Sequence, residues 1–373
     1  MDLKIAPGKL AGTVTPPPAK TLQHRIIIAA ALAGHFTEPT EQMGDDLRAT
    51  AVGVKQLLTE EKPRIVCGGS GSTLRLLLPL AMRRGGAEFV CNDELINRPL
   101  PPYVTCEREG NVLRPTGALP SGIYPVPGNG SAHYISALLF ALPLAEGNST
   151  VTLTTPLEMP SAVEMTLAVL QAFGITVEKT HNGYFVPGGQ KYVYCDMGEE
   201  SDWAFAALYH VMNALGSDIT VEGTKIPTLQ ADSIVAELVK SDLPQEINVG
   251  DVPDLVPPLA LLAALKPNRM TVLHHAGRLR LKETDRLHTV SATLRDLGAT
   301  VIYTGETLFI FGHEDLRGGD VSSRGDHRIA MMAAAAATCC TGEVIIRGAE
   351  CVNKSYPRFW SDLAALGMKI EEV

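Results

Sequence analysis

Six stretches of the chain read as helices with no wet face. They are AKTLQHRIIIAAALAG (19–34), GGSGSTLRLLLPLAM (68–82), GNGSAHYISALLFALPLAEG (128–147), ESDWAFAALYHVMNALG (200–216), VPDLVPPLALLAAL (252–265) and GDHRIAMMAAAAATCC (325–340). A helix that is apolar all round has to be buried on every side. The cover alternates with them as amphipathic segments: DDLRATAVGVKQLL (45–58), SAVEMTLAVLQAFG (161–174), ADSIVAELVKSDL (231–243), KETDRLHTVSATLRDLG (282–298) and SYPRFWSDLAALG (355–367), with RPLPPYVTCEREG (98–110) as a poorer sixth copy. Recurrence of one such unit along a chain marks a repeat architecture. Three copies end in Phe-Gly or Leu-Gly, where Gly suits the left-handed residue that stops a helix. GITVEKTHNGYFVPG (174–188) and GATVIYTGETLFIFG (298–312) then read as strand, turn, strand, and Asn182-Gly183 is a strong hairpin pair. The expected fold class is therefore α/β (α+β), with about three repeats in each of two lobes.

The length of 373 residues accommodates two ordinary domains. The position of Lys20 and the repeat count divide the chain into residues 16–195 and a discontinuous lobe of 1–15 plus 196–373. A net charge of −9 argues against nucleic acid or an anionic membrane surface as partner. An anionic substrate would have to be drawn in by local cations. No apolar run reaches the roughly 20 residues that span a bilayer, and MDLKIAPGKLAG lacks the layout of a signal peptide. Seven cysteines without a CxxC pair read as reduced thiols in a cytoplasmic protein.

The first turns of the apolar helices differ from their bodies. Each brings polar groups to a helix N-terminus, whose free N–H groups favour anions. PPPAKTLQHR (16–25) puts Lys20 and Thr21 at such an end, with Arg25 a turn further in, directly before IIIAAALA. An unpaired charge there is costly unless an anion relieves it. CGGSGSTLR (67–75) is a Gly/Ser loop, neither a Walker A nor GxGxxG, that opens a helix carrying Arg75. Arg98 precedes a proline and reads as extended and exposed. Asp254 in VPDLVPP sits at a helix start, where it serves equally as an N-cap or as a proton acceptor. RLRLKETDRL (278–287) concentrates three arginines, a lysine and two acids. LHHAGRLRL before it alternates like a strand, with a helix expected from Lys282–Glu283, so that Glu283 and Arg286 share a face. Surface pairs of that kind contribute only about 0.2–0.5 kcal/mol, too little to explain the density. A buried cluster that a ligand anion completes explains it better, and Glu283 among cations suits proton transfer. GDHR (325–328) and Lys354 add further cations at helix starts, with His327 among them.

In this order, Lys20/Thr21/Arg25, the Gly/Ser loop with Arg75, Arg98-Pro99, Pro253-Asp254, LKETDR (281–286), DHR (326–328) and Lys354 resemble the EPSP synthase (3-phosphoshikimate 1-carboxyvinyltransferase) family over essentially the whole chain. The resemblance implies a two-lobed inside-out barrel of six βαβαββ repeats, three per lobe, whose buried helices aim their N-termini at the cleft between the lobes. It implies attack of the 5-hydroxyl of shikimate 3-phosphate on C2 of phosphoenolpyruvate, protonation of the methylene carbon, and loss of phosphate. It implies no metal and no organic cofactor, small anions as the only partners, and a monomer. Catalytic roles fall on Lys20, Asp254, Lys282 and Glu283. Shikimate 3-phosphate would be held by Lys20, Thr21, Arg25, Ser131, His133, Asp254, Arg278 and Lys282. Phosphoenolpyruvate would be held by Lys20, Gly71, Arg75, Arg98, His133, Arg286, His327, Arg328 and Lys354.

The departures cluster on the acceptor side. Gly69 stands where the family has Asn, Ser131-Ala132-His133 where it has Ser-Ser-Gln, Arg278 where it has Asn, and Met159–Ala162 replace a Ser and a Tyr. TEEKPRIV (59–66) is short and leaves room for fewer strands. Another acceptor alcohol, such as UDP-N-acetylglucosamine, and a non-catalytic anion-binding relative are the alternatives.

Overall fold

The computed structural model describes residues 1–40, 43–240 and 242–373. The chain divides into two compact units, Met1–Ala19 with Glu200–Val373, and Lys20–Glu199. Strands β1 (Asp2–Ile5) and β2 (Ala11–Val14) open the first unit.

The second unit begins with helices α1 (Lys20–Leu32) and α2 (Asp45–Thr59). It continues through β3 (Arg64–Gly68), α3 (Gly71–Arg84), β4 (Glu88–Cys91), β5 (Thr105–Glu109) and β6 (Val112–Thr116). It ends with β7 (Ile123–Pro127), α4 (Ala132–Ala141), β8 (Ser149–Thr155), α5 (Pro160–Ala172), β9 (Glu178–Thr180) and β10 (Gly183–Val186). Its two sheets run β3-β4-β6-β5 and β7-β8-β10-β9. In each, the first pair is parallel and the others antiparallel.

Back in the first unit come α6 (Trp203–Ala214), β11 (Asp218–Val221), α7 (Val235–Leu238), β12 (Glu246–Asn248), α8 (Val256–Ala264) and β13 (Met270–His274). Then follow α9 (Arg286–Asp296), β14 (Thr300–Thr304), β15 (Thr307–Phe311), β16 (Gly319–Ser322), α10 (His327–Ala337), β17 (Val344–Arg347), α11 (Phe359–Ala365) and β18 (Ile370–Glu372). Here β12-β13-β15-β14 and β16-β17-β1-β18 repeat the same order and sense. The N-terminal strand thus completes a sheet made otherwise of the last strands, with Leu3 opposite Ile346 and Glu372.

A parallel pair needs a crossover, and the apolar helices supply it. α3, α4, α8 and α10 each join the two parallel strands of one sheet. Every residue of α8 and α10 is buried, whereas α2 buries one side only. The repeat is complete at these four helices. α6 leads only to the two-stranded pair of β11 with β2, and no described strand separates α1 from α2. Gly174, Gly298 and Gly367 take positive φ at the ends of the amphipathic helices, as their sequence positions predict. No helix among the described residues is long and apolar enough to cross a membrane.

Four local expectations fail. RPLPPYVTCEREG forms no helix: its prolines deny it backbone donors, and Thr105–Glu109 pairs as strand β5. ADSIVAELVKSDL keeps only a 3-10 turn at Ala231–Ile234 and the short α7, with Ser241 outside the described residues. RLRL continues no strand: β13 stops at His274, His275 takes a positive φ, and Gly277–Leu281 coils into a 3-10 turn. The next helix starts at Arg286 rather than Lys282, because the Asp285 side chain accepts from the His288 N–H and caps it there.

Candidate active site

The 3-10 turn Pro253–Leu255 precedes α8 and carries Asp254. No side chain caps α8, so Asp254 is not its N-cap. Its carboxylate collects cations from the loop before α9, from α9 and from α10 instead. Oδ1 accepts from Lys282 Nζ at 3.2 Å and from Arg286 Nη1 at 2.9 Å, and Oδ2 accepts from Arg328 Nη2 at 3.1 Å. Arg286, 1% exposed, also grips Asp326 with Nε at 2.8 Å and Nη2 at 3.1 Å, and donates from Nη2 to Glu283 at 2.6 Å. Lys354 closes the group on the other oxygen of Glu283 at 3.1 Å. Asp326 is both this hub and the N-cap of α10, accepting from the Arg328 N–H. Arg328 lies over the Phe205 ring, 5.1 Å from its centre. His327 is buried, its Nε2 3.4 Å from Ser355 Oγ, and Arg278 is half-buried in the Gly277–Leu281 turn.

The balance of this cluster is uneven. Burial alone would lower the Arg286 guanidinium, but Asp326, Glu283 and Asp254 outweigh it and push it up. Arg286 is thus a permanent cation. Lys282 goes the other way: burial holds its ammonium below the usual lysine value, Asp254 offsets part of that, and Arg286 and Arg328 add to it. A lysine so placed gives up its proton more readily than a surface one.

The second unit carries its own set. Lys20 opens α1 and pairs with buried Asp46 of α2 at 3.0 Å. Asp46 belongs to a buried polar web. Its carbonyl accepts from Thr50 and Thr73, and Thr50 Oγ1 lies 2.7 Å from His24 Nδ1. Thr73 Oγ1 lies 2.7 Å from Ser70 Oγ, whose oxygen caps α3. Burial, with Lys20 and Arg25 nearby, holds His24 well below the usual imidazole value, so it is neutral. The starts of α1, α2 and α3 are therefore fastened together. Arg25 is fully buried, and the partners found for it are neutral oxygens of Thr166, Thr21, Ala162 and Ser136. Burial lowers it to about 10, which leaves it charged at neutral pH.

Gly71 explains the loop. A Cβ there would lie 2.5 Å from Arg75 Nη1 and 3.4 Å from Arg98 Nη1, so two guanidinium groups converge on the first residue of α3. Like charges at such range favour an anion between them. Arg98 is extended, as expected before proline, but its side chain is only 17% exposed and lies near Glu94. Ser131 caps α4, and His133 is held at both nitrogens, Nδ1 3.3 Å from Ser131 Oγ and Nε2 3.3 Å from Ser72 Oγ.

The structure thus gathers Asp254, Lys282, Glu283, Arg286, Arg328 and Lys354 in one unit. In the other it gathers Gly71, Arg75 and Arg98, with His133 against Ser72 of the same helix start. Thr21 lies at the exposed end of α1 and gives its carbonyl to Arg25. Sequence reasoning missed Asp46 and Asp326. Both read locally as helix-start acids, and their cationic partners lie 26 and 40 residues away. No group of three or more His, Cys, Asp or Glu among the described residues is arranged to hold a metal ion.

Comparison with known proteins agrees with this picture. Residues 37–363 match the family model described as EPSP synthase (3-phosphoshikimate 1-carboxyvinyltransferase). The chain is 36% identical to a 3-phosphoshikimate 1-carboxyvinyltransferase of Clostridium kluyveri over 420 aligned positions, covering 99% of this chain and 98% of that one. It is 35% identical to the enzyme of that name from Clostridium acetobutylicum at the same coverage. In fold it is similar to the EPSP synthase from Acinetobacter baumannii, with a TM-score of 0.78 at 24% identity over 100% of both chains. It is also similar to the enolpyruvyl transferase NikO from Streptomyces tendae, with a TM-score of 0.69 at 16% identity over 99% of this chain and 98% of that one. With the family model spanning most of its length and relatives matched end to end, the chain belongs to the EPSP synthase family.

Proposed function

We propose that this protein transfers the 1-carboxyvinyl group of phosphoenolpyruvate to the 5-hydroxyl of shikimate 3-phosphate and releases phosphate. The observation that carries the reading is Asp254, a half-exposed carboxylate touched by Lys282, Arg286 and Arg328. In one unit Arg286, Arg328 and Lys354, and in the other Gly71, Arg75 and Arg98, each offer the fixed donors that a multiply charged anion such as phosphoenolpyruvate needs. Lys20 serves both substrates. Thr21, Arg25, Ser131, His133 and Arg278 take the acceptor. Asp254 removes the hydroxyl proton as oxygen attacks C2. Glu283 and Lys282 then deliver and recover the methylene proton, Lys282 being the readier donor for its lowered basicity. The seven cysteines, all thiols in this structure, suit a reducing compartment.

A phosphate-release assay tests this. Phosphoenolpyruvate is supplied with shikimate 3-phosphate or with UDP-N-acetylglucosamine, and turnover with the first alone is expected. Turnover with only the second, or with neither, would refute the reading.

A further inference from the structure

Asp232 has no part in the reaction as described; its turn is tied to the start of α6 at Trp203, and Arg328 of the cluster lies over Phe205 of the same helix. Asp232 sits in the 3-10 turn Ala231–Ile234, and Gln230 before it fastens that turn to the start of α6. Gln230 donates to Glu200 at 2.7 Å and to the Ser201 carbonyl at 3.0 Å, and accepts from the Trp203 N–H at 2.9 Å. That clasp holds the turn carrying Asp232 against the start of α6. The residue is half-buried, but its Oδ1 is shut off from solvent and meets no hydrogen-bond donor. Such an oxygen is costly in an ionised carboxylate and far less so in a protonated one.

The charges that act on Asp232 are those of Asp254 and Asp202, which disfavour its ionised form, and of Arg328 and Lys282, which favour it. Asp202 is engaged as the N-cap of α6, accepting from the Ala204 and Phe205 N–H groups. Among the described residues, the ion pairs of the cluster join Lys282, Arg286, Arg328 and Lys354 to Asp254, Glu283 and Asp326. An ionised Asp232 would add a negative charge that opposes an incoming anion. A protonated Asp232 would not.

We propose that Asp232 is a positioning residue of the anion site: it takes up a proton when an anion seats among Lys282, Arg286, Arg328 and Lys354, and so ties anion affinity to pH. The proton comes from solvent and returns there when the anion leaves; no other bond changes. Burial, then Asp254 and Asp202, push this carboxyl up to about 7 against the pull of Arg328 and Lys282. The exchange therefore falls at neutral pH. The inference rests on reading the cluster as an anion site.

Sulfate is a suitable probe because its own charge does not change near neutrality. Its binding is measured by calorimetry from about pH 6 to about pH 8, in buffers of different ionisation heat. The parent protein should take up a proton on binding above neutrality, and its affinity should fall by up to about tenfold per pH unit above pH 7. Asp232→Asn, neutral throughout, should bind at the upper pH as tightly as the parent does at the lower, without proton uptake. A purely structural role would not move that count. A variant that keeps the parent's pH dependence overturns the proposal. Sulfate binding by the parent without proton uptake overturns it too, whether or not the variant folds. If the parent binds no sulfate at any pH, the anion-site reading itself fails, and this inference with it.

Discussion

Arg286 holds both carboxylate oxygens of Asp326, at 2.8 and 3.1 Å, where neither side chain is more than 1% exposed. A buried pair of this kind is costly to break from one side, because the remaining charge stays in the interior. Asp326→Ala also removes the cap of α10 and the acceptor of Thr284. We expect the change to destabilise the first unit by roughly 3–5 kcal/mol. Both tryptophans, Trp203 and Trp360, lie in that unit, so fluorescence-monitored unfolding reads it directly. A loss below about 1 kcal/mol would show that Glu283 and Asp254 suffice to hold Arg286.

Gly71→Ala tests the meeting of Arg75 and Arg98. The new methyl must displace Arg75 Nη1, the far end of a flexible side chain, so the fold should survive. The Michaelis constant for phosphoenolpyruvate should rise by about tenfold or more, with a smaller change in turnover. Unchanged steady-state kinetics would remove these two arginines from the substrate site.

His133→Gln tests the acceptor side. The two hydroxyls that hold the imidazole, on Ser131 and Ser72, can each donate or accept, so the ring can change protonation in place. Bound anions favour the charged ring, so affinity for shikimate 3-phosphate should weaken as pH rises. Glutamine cannot titrate, so its profile of apparent Michaelis constant against pH should be flatter. Superimposable profiles would make His133 a spacer between two serines.

The repeats were legible because apolar periodicity is local: each buried helix declares itself within a dozen residues, and Gly174, Gly298 and Gly367 mark where their covers stop. The cations of the site were legible for a related reason, since a charge at the mouth of an apolar helix is out of place wherever it occurs. Their partners were not. Asp326 reads as a helix cap, and nothing within ten residues of it foretells Arg286. Arg25 finds Thr166 across 141 residues of chain. The start of α9 was misplaced for a different cause: Lys282, Glu283 and Asp285 all suit a first turn, and only the Asp285 cap decides among them.

The most direct measurement follows the phosphorus atoms by 31P NMR in a single turnover, with the parent protein and with Asp254→Asn. The parent should convert phosphoenolpyruvate and shikimate 3-phosphate to inorganic phosphate and one new phosphorylated product heavier by the carboxyvinyl group. Asp254→Asn should bind both substrates within about tenfold of the parent, yet form product roughly 10²–10⁴ times more slowly. No product from the parent, or equal rates from both proteins, would contradict a reaction centred on Asp254.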